Sequence, residues 1–266
     1  MKFIYNLIKT LAGKKVKIAR LLLIVTGSVF ITVAFISMLS PVVTLKRINR
    51  EYCSDTSNYE KSILPLMNQD IFRLKMKEYF LRSKVMMAAT DSIALAIDLE
   101  DSLVTLELRG IIIHQARIKK ITYSKIFEKM NKDTRINYFS SPFIIETSYA
   151  TIPKEPIIIK EAPKDTTEAN SPAFLSDTIQ KKSICMINYL DKYLDVEMRQ
   201  YERPKGKGFK EYILQNKLRQ TGHLFSDLFR YTVPEYRPWI NIELSGKDIR
   251  VIYRSLPGKS MVSIKI

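Results

Sequence analysis

Uncharged residues run without interruption from Leu21 to Leu45, a stretch of 25 positions. A helix rises about 1.5 Å per residue, and a hydrocarbon core about 30 Å thick needs roughly 20 residues to cross. The stretch is also longer than the apolar region of a cleaved signal peptide, which is about 7–15 residues. The pattern therefore predicts an uncleaved transmembrane anchor over residues 21–45 that contacts membrane lipid.

Lysine and arginine residues flank this stretch unequally. Residues 6–20 carry five of them, whereas residues 46–60 carry three. The positive-inside rule places the more basic flank in the cytoplasm. We expect a basic cytoplasmic segment over residues 1–20 and a C-terminal domain in the periplasm or otherwise outside the cytoplasm. The chain has no Asn-x-Ser/Thr sequon, which favours a single-pass protein of the bacterial inner (cytoplasmic) membrane over a glycosylated ectodomain.

Residues 46–90 form the predicted juxtamembrane stalk and helix. Within them, the segment "NQDIFRLKMKEYFLRSKVMM" has Asp70 near its start as a candidate helix cap. Its apolar residues recur near helical spacing, at Ile71, Leu74, Leu81 and Val85. The pattern predicts a helix that either spaces the domain from the membrane or docks on it. A coiled-coil dimer stalk is an alternative, although the heptads are few and irregular.

The spacing of apolar residues changes to two after Asp91. "SIALAIDLEDSLVTLELRG" predicts a β-hairpin with one buried face, and "IIIHQARI" predicts a third strand. "SKIFEKM" predicts a short helix capped by Ser124, and "SPFIIETSYATIPKEPIIIKEAP" predicts two further strands. These elements make up a first unit over residues 91–163.

The second half of the chain shows the same order of patterns. "SICMINYLDKYLDVEMRQY" predicts a hairpin, "HLFSDLF" a short helix, and "RPWINIELSGKDIRVIYRSLP" two strands around a turn. This similarity predicts an internal duplication, with repeat 1 over residues 91–163, a polar linker over 164–182 and repeat 2 over 183–266. Chance similarity is the alternative, because alternation is a common pattern.

These elements together predict an α+β fold that is mostly β. The N-terminal single transmembrane helix is followed by a linker helix and two ββαββ repeats, each an antiparallel sheet with a short helix.

The chain is strongly basic, with a net charge of +16. Of its charged residues, 37 of the 43 basic ones and all 27 acidic ones follow Leu45, which leaves +10 on the predicted exported part. An excess of this size predicts attraction to polyanions such as anionic lipid, acidic cell-wall polymer or an acidic protein. Nucleic acid is not expected as a partner unless the domain is cytoplasmic.

One basic cluster is the best candidate for a binding surface. It is interleaved with aromatic residues and consists of Arg199, Arg203, Lys205, Lys207, Lys210, Lys217 and Arg219. Such a cluster predicts a docking site for an anionic partner. A solvated loop and helix face is the alternative interpretation.

Motifs for chemistry are sparse. The two histidines, His114 and His223, each lie beside apolar residues, and neither belongs to a metal-ligand motif. No glycine-rich phosphate loop and no G-x-S-x-G motif is present, so no cofactor or metal is expected. A histidine beside a carboxylate in a pocket would favour an enzyme. Cys53 and Cys185 are expected to be unrelated thiols rather than a disulfide.

The first hairpin resembles the opening strands of L,D-transpeptidase domains. Their Ser-His-Gly-Cys signature is absent, and Cys185 lies in "SICMI" without a neighbouring histidine. A catalytic thiol of that kind needs an activating partner, so the family is not assigned.

The sequence therefore predicts a non-enzymatic membrane protein whose extracytoplasmic repeats act as a scaffold or docking subunit of a cell-envelope assembly. Its partner would be an envelope protein that uses the faces and edges of the sheets. A binding module for anionic cell-wall polymer or lipid headgroups is one alternative, and an envelope enzyme with an unrecognised site is another. The oligomeric state is left open.

Overall fold

A computed structural model describes residues 23–24, 26–28, 31, 35, 38–53, 69–154, 183–202 and 236–266. The chain divides into two compact units, one of Met1–Thr44 with Arg219–Tyr236, the other of Leu45–Leu218 with Arg237–Ile266. In the first unit, the described residues up to Thr44 are helical. The Thr44 hydroxyl donates a hydrogen bond to the carbonyl of Tyr236, at 3.0 Å.

The predicted transmembrane anchor over residues 21–45 is not supported. Among the described residues, no helix combines the length and the apolar character needed to cross a membrane. The expected single-pass location in the bacterial inner membrane, with a cytoplasmic N-terminus and an extracytoplasmic domain, is therefore not supported. Residues 45–52 of the second unit are helical and carry Lys46, Arg47 and Arg50.

The second unit contains one large sheet and several helices. Its strands are β1 Ala94–Asp98, β2 Leu103–Leu108, β3 Ile111–Arg117, β4 Lys120–Tyr123, β5 Phe143–Ala150, β6 Cys185–Leu190, β7 Asp195–Gln200, β8 Trp239–Leu244 and β9 Met261–Lys265. In addition to residues 45–52, its helices are α1 Gln69–Ala88, α2 Ile126–Lys129, α3 Lys132–Phe139 and α4 Gly246–Ser255.

All nine strands belong to one sheet, in the order β3-β2-β1-β9-β5-β6-β7-β8-β4. The pairs β1–β9 and β7–β8 are parallel, and the other pairs are antiparallel. Strands from the two halves of the chain are mixed in this order, because β9 lies between β1 and β5 while β4 pairs with β8. The fold is therefore mixed α/β, and the predicted architecture of two separate antiparallel ββαββ repeats is wrong.

The two predicted hairpins are confirmed. Strand β1 pairs with β2, and Leu95 lies opposite Leu106; β6 pairs with β7, and Met186 lies opposite Met198. The short helix predicted in "SKIFEKM" is also present as α2. Its N-cap residue is Lys125, and the hydroxyl of the predicted cap, Ser124, accepts a long hydrogen bond of 3.5 Å from the N–H of Ile126. Strand β4 and helix α3 were not predicted from the sequence. "HLFSDLF" and the linker over residues 164–182 lie outside the described residues.

The last predicted strand pair is partly wrong, because "GKDIRVIYRS" forms helix α4. The hydroxyl of Ser245 accepts a hydrogen bond from the Asp248 N–H at 3.2 Å and donates one to the Asp248 carboxylate at 2.7 Å. This reciprocal capping starts a helix. Helical spacing then buries Ile249 and Ile252 and leaves Val251 exposed, whereas alternation would have grouped Ile249 with Val251.

Helix α1 confirms the predicted helix but buries a different face. It packs Phe80 and Met87 against the short side chains of Ala94 and Ala96 on β1. The opposite face of β1 carries Leu95, which is completely buried in the core. The sheet therefore has a covered face under α1 and a second buried face on its other side.

A buried cation joins the end of β9 to the β1–β2 turn. Lys265 is 5% exposed, and its ammonium lies 3.0 Å from the carboxylates of Asp98 and Glu100 and 3.8 Å from that of Asp101. Burial alone would lower the pKa of Lys265, but hydrogen bonds to Glu100 and Asp98 outweigh burial and raise the pKa above its ordinary 10.5. The folded state therefore binds this proton more tightly than the unfolded state does.

We predict that Lys265→Met lowers the free energy of unfolding by about 2 kcal/mol, because it removes hydrogen bonds to charged groups. Since the folded pKa is raised, this stabilisation is fully present below the unfolded pKa of about 10.4 and is lost as the pH rises through the folded pKa. Urea unfolding at neutral and alkaline pH measures the difference. The matched control is Lys259→Met, at an exposed lysine of the same segment. An equal loss in both variants would contradict the prediction.

We also predict that Ser245→Ala destabilises the protein by about 1 kcal/mol, because the first turn of α4 loses its side-chain cap. Thermal unfolding followed by circular dichroism should show a midpoint lower by about 2–4 °C for a chain of this size. Ser255→Ala, at the other end of the same helix, serves as the control. Unchanged stability in Ser245→Ala would show that the observed capping bonds contribute nothing.

Candidate functional site: an open strand edge beside a two-faced helix

Strand β3 is one end of the nine-stranded sheet and continues almost directly into β4, the other end. The N–H of Ile118 donates to the carbonyl of Ser102 beside β2, and the N–H of Lys119 donates to the carbonyl of Glu243 on β8, both at 2.8 Å. Two adjacent residues therefore bond to opposite ends of the sheet. Before this corner, β3 pairs with β2 alone in the described part of the chain.

The first half of β3 carries three consecutive exposed isoleucines. Ile111, Ile112 and Ile113 are 70%, 50% and 49% exposed. The register places Ile112 opposite Glu107 and His114 opposite Leu106, so Ile113 is an extra residue in a bulge. Proteins usually protect an open strand edge with charged side chains or proline, whereas this edge presents large apolar ones.

The turn before β3 fixes the start of this edge. Arg109 and Gly110 both have positive φ, at 51° and 79°, the backbone of a tight two-residue hairpin turn. A side chain at Gly110 would lie 3.3 Å from the Cβ of Ala88 at the end of α1. The guanidinium of Arg109 also lies 2.6 Å from the carboxylate of Asp91. The open edge therefore starts beside the C-terminal end of α1.

A buried carboxylate links α1 to the same edge. Glu107 on β2 is buried, and its carboxylate lies 2.7 Å from the ammonium of Lys84 on α1. The hydroxyl of Thr105 donates a second hydrogen bond to it at 2.8 Å. Because Glu107 faces Ile112 across the strands, this ion pair holds the helix next to the open edge.

The solvent side of α1 carries a stripe of apolar side chains. The four residues that the sequence marked as its apolar stripe are all between 50% and 70% exposed: Ile71, Leu74, Leu81 and Val85. The buried face of the same helix consists of Met76, Phe80, Ser83 and Met87. Exposed apolar surface of this extent is typical of protein interaction sites.

His114 has a carboxylate neighbour, the feature that would favour an enzyme. Its Nε2 lies 3.2 Å from Oδ1 of Asp248. The other oxygen of Asp248 accepts the hydroxyl hydrogen of Ser245 in the α4 cap. In a hydrolase triad the histidine lies between the acid and the serine, whereas here the carboxylate lies between them. The arrangement fits a helix cap; His223 lies outside the described residues.

Lys192 in the β6–β7 turn brings an amine next to the hydroxyl of Ser141. The Lys192 ammonium donates to the hydroxyl of Ser141 at 2.7 Å and to its carbonyl at 3.2 Å. Burial lowers the pKa of Lys192, as an amine base requires. The same ammonium lies 4.5 Å from the ring centre of Phe143, a contact that favours its charged form. These bonds anchor the β6–β7 turn rather than activate Ser141.

Around that turn, contacts with aromatic rings fix the helical residues 45–52 to α3 and to the turn itself. Tyr52 packs edge-on against Tyr138 at 5.1 Å, and the guanidinium of Arg47 lies 3.8 Å from the ring centre of Tyr193. Burial, followed by the charges of Glu51 and Asp191, raises the pKa of Tyr52 to about 12. Tyr52 is therefore a neutral packing residue at physiological pH and not a base.

The predicted anionic-docking cluster is represented in the structure only by Arg199. Its guanidinium lies 2.6 Å from the carboxylate of Glu197, which also lies 3.3 Å from the thiol of Cys185. Although burial alone would lower the pKa of Arg199, its hydrogen bond with Glu197 raises it. The other six residues of the cluster lie outside the described residues, so the anionic site stays a prediction. Neither Cys53 nor Cys185 forms a disulfide, as expected, and Cys185 is buried.

The described residues contain no group of three or more His, Cys, Asp or Glu side chains that could hold a metal ion. The surface features that stand out are therefore the open edge of β3 and the apolar outer face of α1. Both surfaces have a signal in the sequence. The strand edge is marked by three isoleucines after a glycine, and the helix face is marked by two apolar stripes on one helix. What the sequence did not reveal was their exposure.

Comparisons with protein-family models, with curated proteins and with solved structures found no match to this chain.

Proposed function

We propose that this protein is a non-enzymatic docking module that binds an extended segment of a partner protein along the open edge of β3. One observation carries the proposal: Ile111, Ile112 and Ile113 are exposed on a terminal strand that pairs on one side only among the described residues. An added strand would satisfy the main-chain hydrogen bonds of the edge and cover these side chains.

The apolar contribution to such binding is sufficient for a specific but moderate affinity. Full burial of an isoleucine side chain contributes about 1.5–3 kcal/mol, and these three are about half-exposed or more. Covering them would therefore contribute roughly 3–5 kcal/mol, before the cost of ordering the partner. Main-chain pairing along the strand would add to this term, so micromolar binding is a reasonable expectation.

The second half of β3 suggests the charge of the partner. Gln115 and Arg117 are exposed on the strand after the isoleucines, so the open edge is apolar at its start and basic at its end. Charge complementarity favours a partner strand with β-branched residues opposite Ile111–Ile113 and an acidic residue opposite Arg117.

The test uses fluorescently labelled seven-residue peptides of alternating valine and threonine that carry either glutamate or lysine at one end. We predict that the native protein binds the glutamate peptides more tightly, as measured by fluorescence anisotropy. The double variant Ile112→Lys/Ile113→Lys should weaken binding at least tenfold, because charges on an edge strand oppose strand addition.

The control is Tyr201→Lys/Val251→Lys, which adds the same charge at two other exposed apolar positions. Circular dichroism must first show that both double variants are folded. Retained binding in the control and loss in the β3 variant would support the proposal. Equal binding by both variants, or no binding of any peptide by the native protein, would refute it.

A further inference from the structure

We propose that the outer face of α1 is a docking seam for an acidic amphipathic helix of a partner protein. This seam is a second surface, separate from the strand edge of β3, and it stands whether or not strand docking occurs. Its members are Ile71, Leu74, Glu78, Leu81 and Val85, which we call the α1 seam.

The spacing of the α1 seam is that of a coiled-coil face. Its positions are separated by three and four residues in turn, which matches the a and d positions of two heptads. The four apolar side chains in it are at least half-exposed. With a rise of about 1.5 Å per residue, the seam from residue 71 to residue 85 is roughly 21 Å long.

The seam is not a misplaced part of the core, because α1 already has a packed face. At about 100° per residue, the buried Met76, Phe80 and Met87 lie on the side of the helix opposite Leu74 and Val85. The ion pair of Lys84 with Glu107, at 2.7 Å, holds this orientation. Rotation of the helix to bury the seam would expose Phe80 and break that pair.

The narrowness of the seam favours a helix over a lipid surface as its occupant. The exposed apolar side chains of α1 occupy a and d positions, with Met86, which is 47% exposed, beside them at one end. Such a stripe is close to a coiled-coil seam, whereas helices that lie in a membrane interface present a wider apolar face. Glu78 lies in the middle of the seam and is exposed. In lipid its charge would be costly, but a partner helix can place a lysine or asparagine opposite it, as polar a positions do when they set register.

The flanks of the seam select the charge of the partner. Lys75 and Arg82 occupy e positions and Lys77 a g position, and none of the three has an ion pair in the described part of the chain. A second copy of this helix would place basic flanks against basic flanks, which destabilises pairing. Glutamates at the e and g positions of the incoming helix would instead complement them.

The probe is a synthetic 21-residue peptide with isoleucine at a, leucine at d and glutamate at e and g, and with one lysine at the a position that faces Glu78. The control peptide is identical except for lysine at e and g. Isothermal titration calorimetry with the full chain should give a dissociation constant at least tenfold lower for the acidic peptide. Equal affinity for the two peptides, or no binding of the acidic one, overturns the proposal.

Two sets of variants test the surface itself. Leu74→Gln/Leu81→Gln removes apolar contacts at exposed positions that the fold does not need, and it should weaken binding at least tenfold. Ile112→Gln/Ile113→Gln, the matched pair on β3, should leave binding of the helical peptide unchanged and so separates this seam from the strand edge. Lys77→Glu/Arg82→Glu should reverse the preference toward the basic peptide; an unchanged preference overturns the proposal.

Other occupants give distinct results. Light scattering tests for self-association. If the native protein is a dimer and Leu74→Gln/Leu81→Gln is a monomer, the occupant of the seam is a second copy and the proposal is overturned. Sedimentation with vesicles of phosphatidylglycerol and phosphatidylcholine tests for lipid binding. If the native protein sediments with the vesicles and the same variant does not, the occupant is lipid and the proposal is overturned. A monomeric protein that ignores the vesicles and prefers the acidic peptide supports the proposal.

Discussion

The sheet depends on the insertion of β9 between β1 and β5. Met261–Lys265 pairs in parallel with β1 and antiparallel with β5, and without it the strand order separates into β3-β2-β1 and the remaining five strands. Lys265 closes the pairing at one end, where its carbonyl accepts the N–H of Leu99 at 2.9 Å. Strand β9, the last in the chain, pairs with β1, the first. Pairing between strands so far apart in the sequence slows folding.

The same arrangement creates the exposed surfaces. Since β3 and β4 are consecutive in the chain but bond to opposite ends of the sheet, the corner at Ile118 leaves the beginning of β3 with one neighbour in the described chain. The short side chains of Ala94 and Ala96 on β1 allow α1 to pack closely against that face of the sheet. A helix seated there by Phe80 and Met87 has to turn its second apolar stripe outward. The open edge and the seam are thus consequences of one topology.

Local elements were predictable where the signal was local. The two hairpins and α1 follow from alternation and helical spacing, and the structure confirms them. The repeat architecture failed because pairing between distant strands, such as β1 with β9, has no local signature. Helix α4 was not predicted because Ile249 and Val251 fit the alternation of a strand, whereas Ile249 and Ile252 fit helical spacing, and the Ser245–Asp248 cap favours the helix. The anchor was predicted from the length of an uninterrupted run of uncharged residues, whereas no helix among the described residues is both long and apolar enough to cross a membrane.

Helix α1 shows why exposure, rather than secondary structure, was the harder inference. Its sequence holds two apolar stripes on opposite sides, so periodicity marks a helix without indicating which stripe is buried. The choice depends on Lys84, which can reach the buried Glu107 only when Phe80 faces the sheet. An unpaired Glu107 there would cost several kilocalories per mole. The packing of Phe80 and Met87 and the ion pair of Lys84 with Glu107 therefore orient the helix together and leave Leu74 and Leu81 in solvent, where a second chain can reach them.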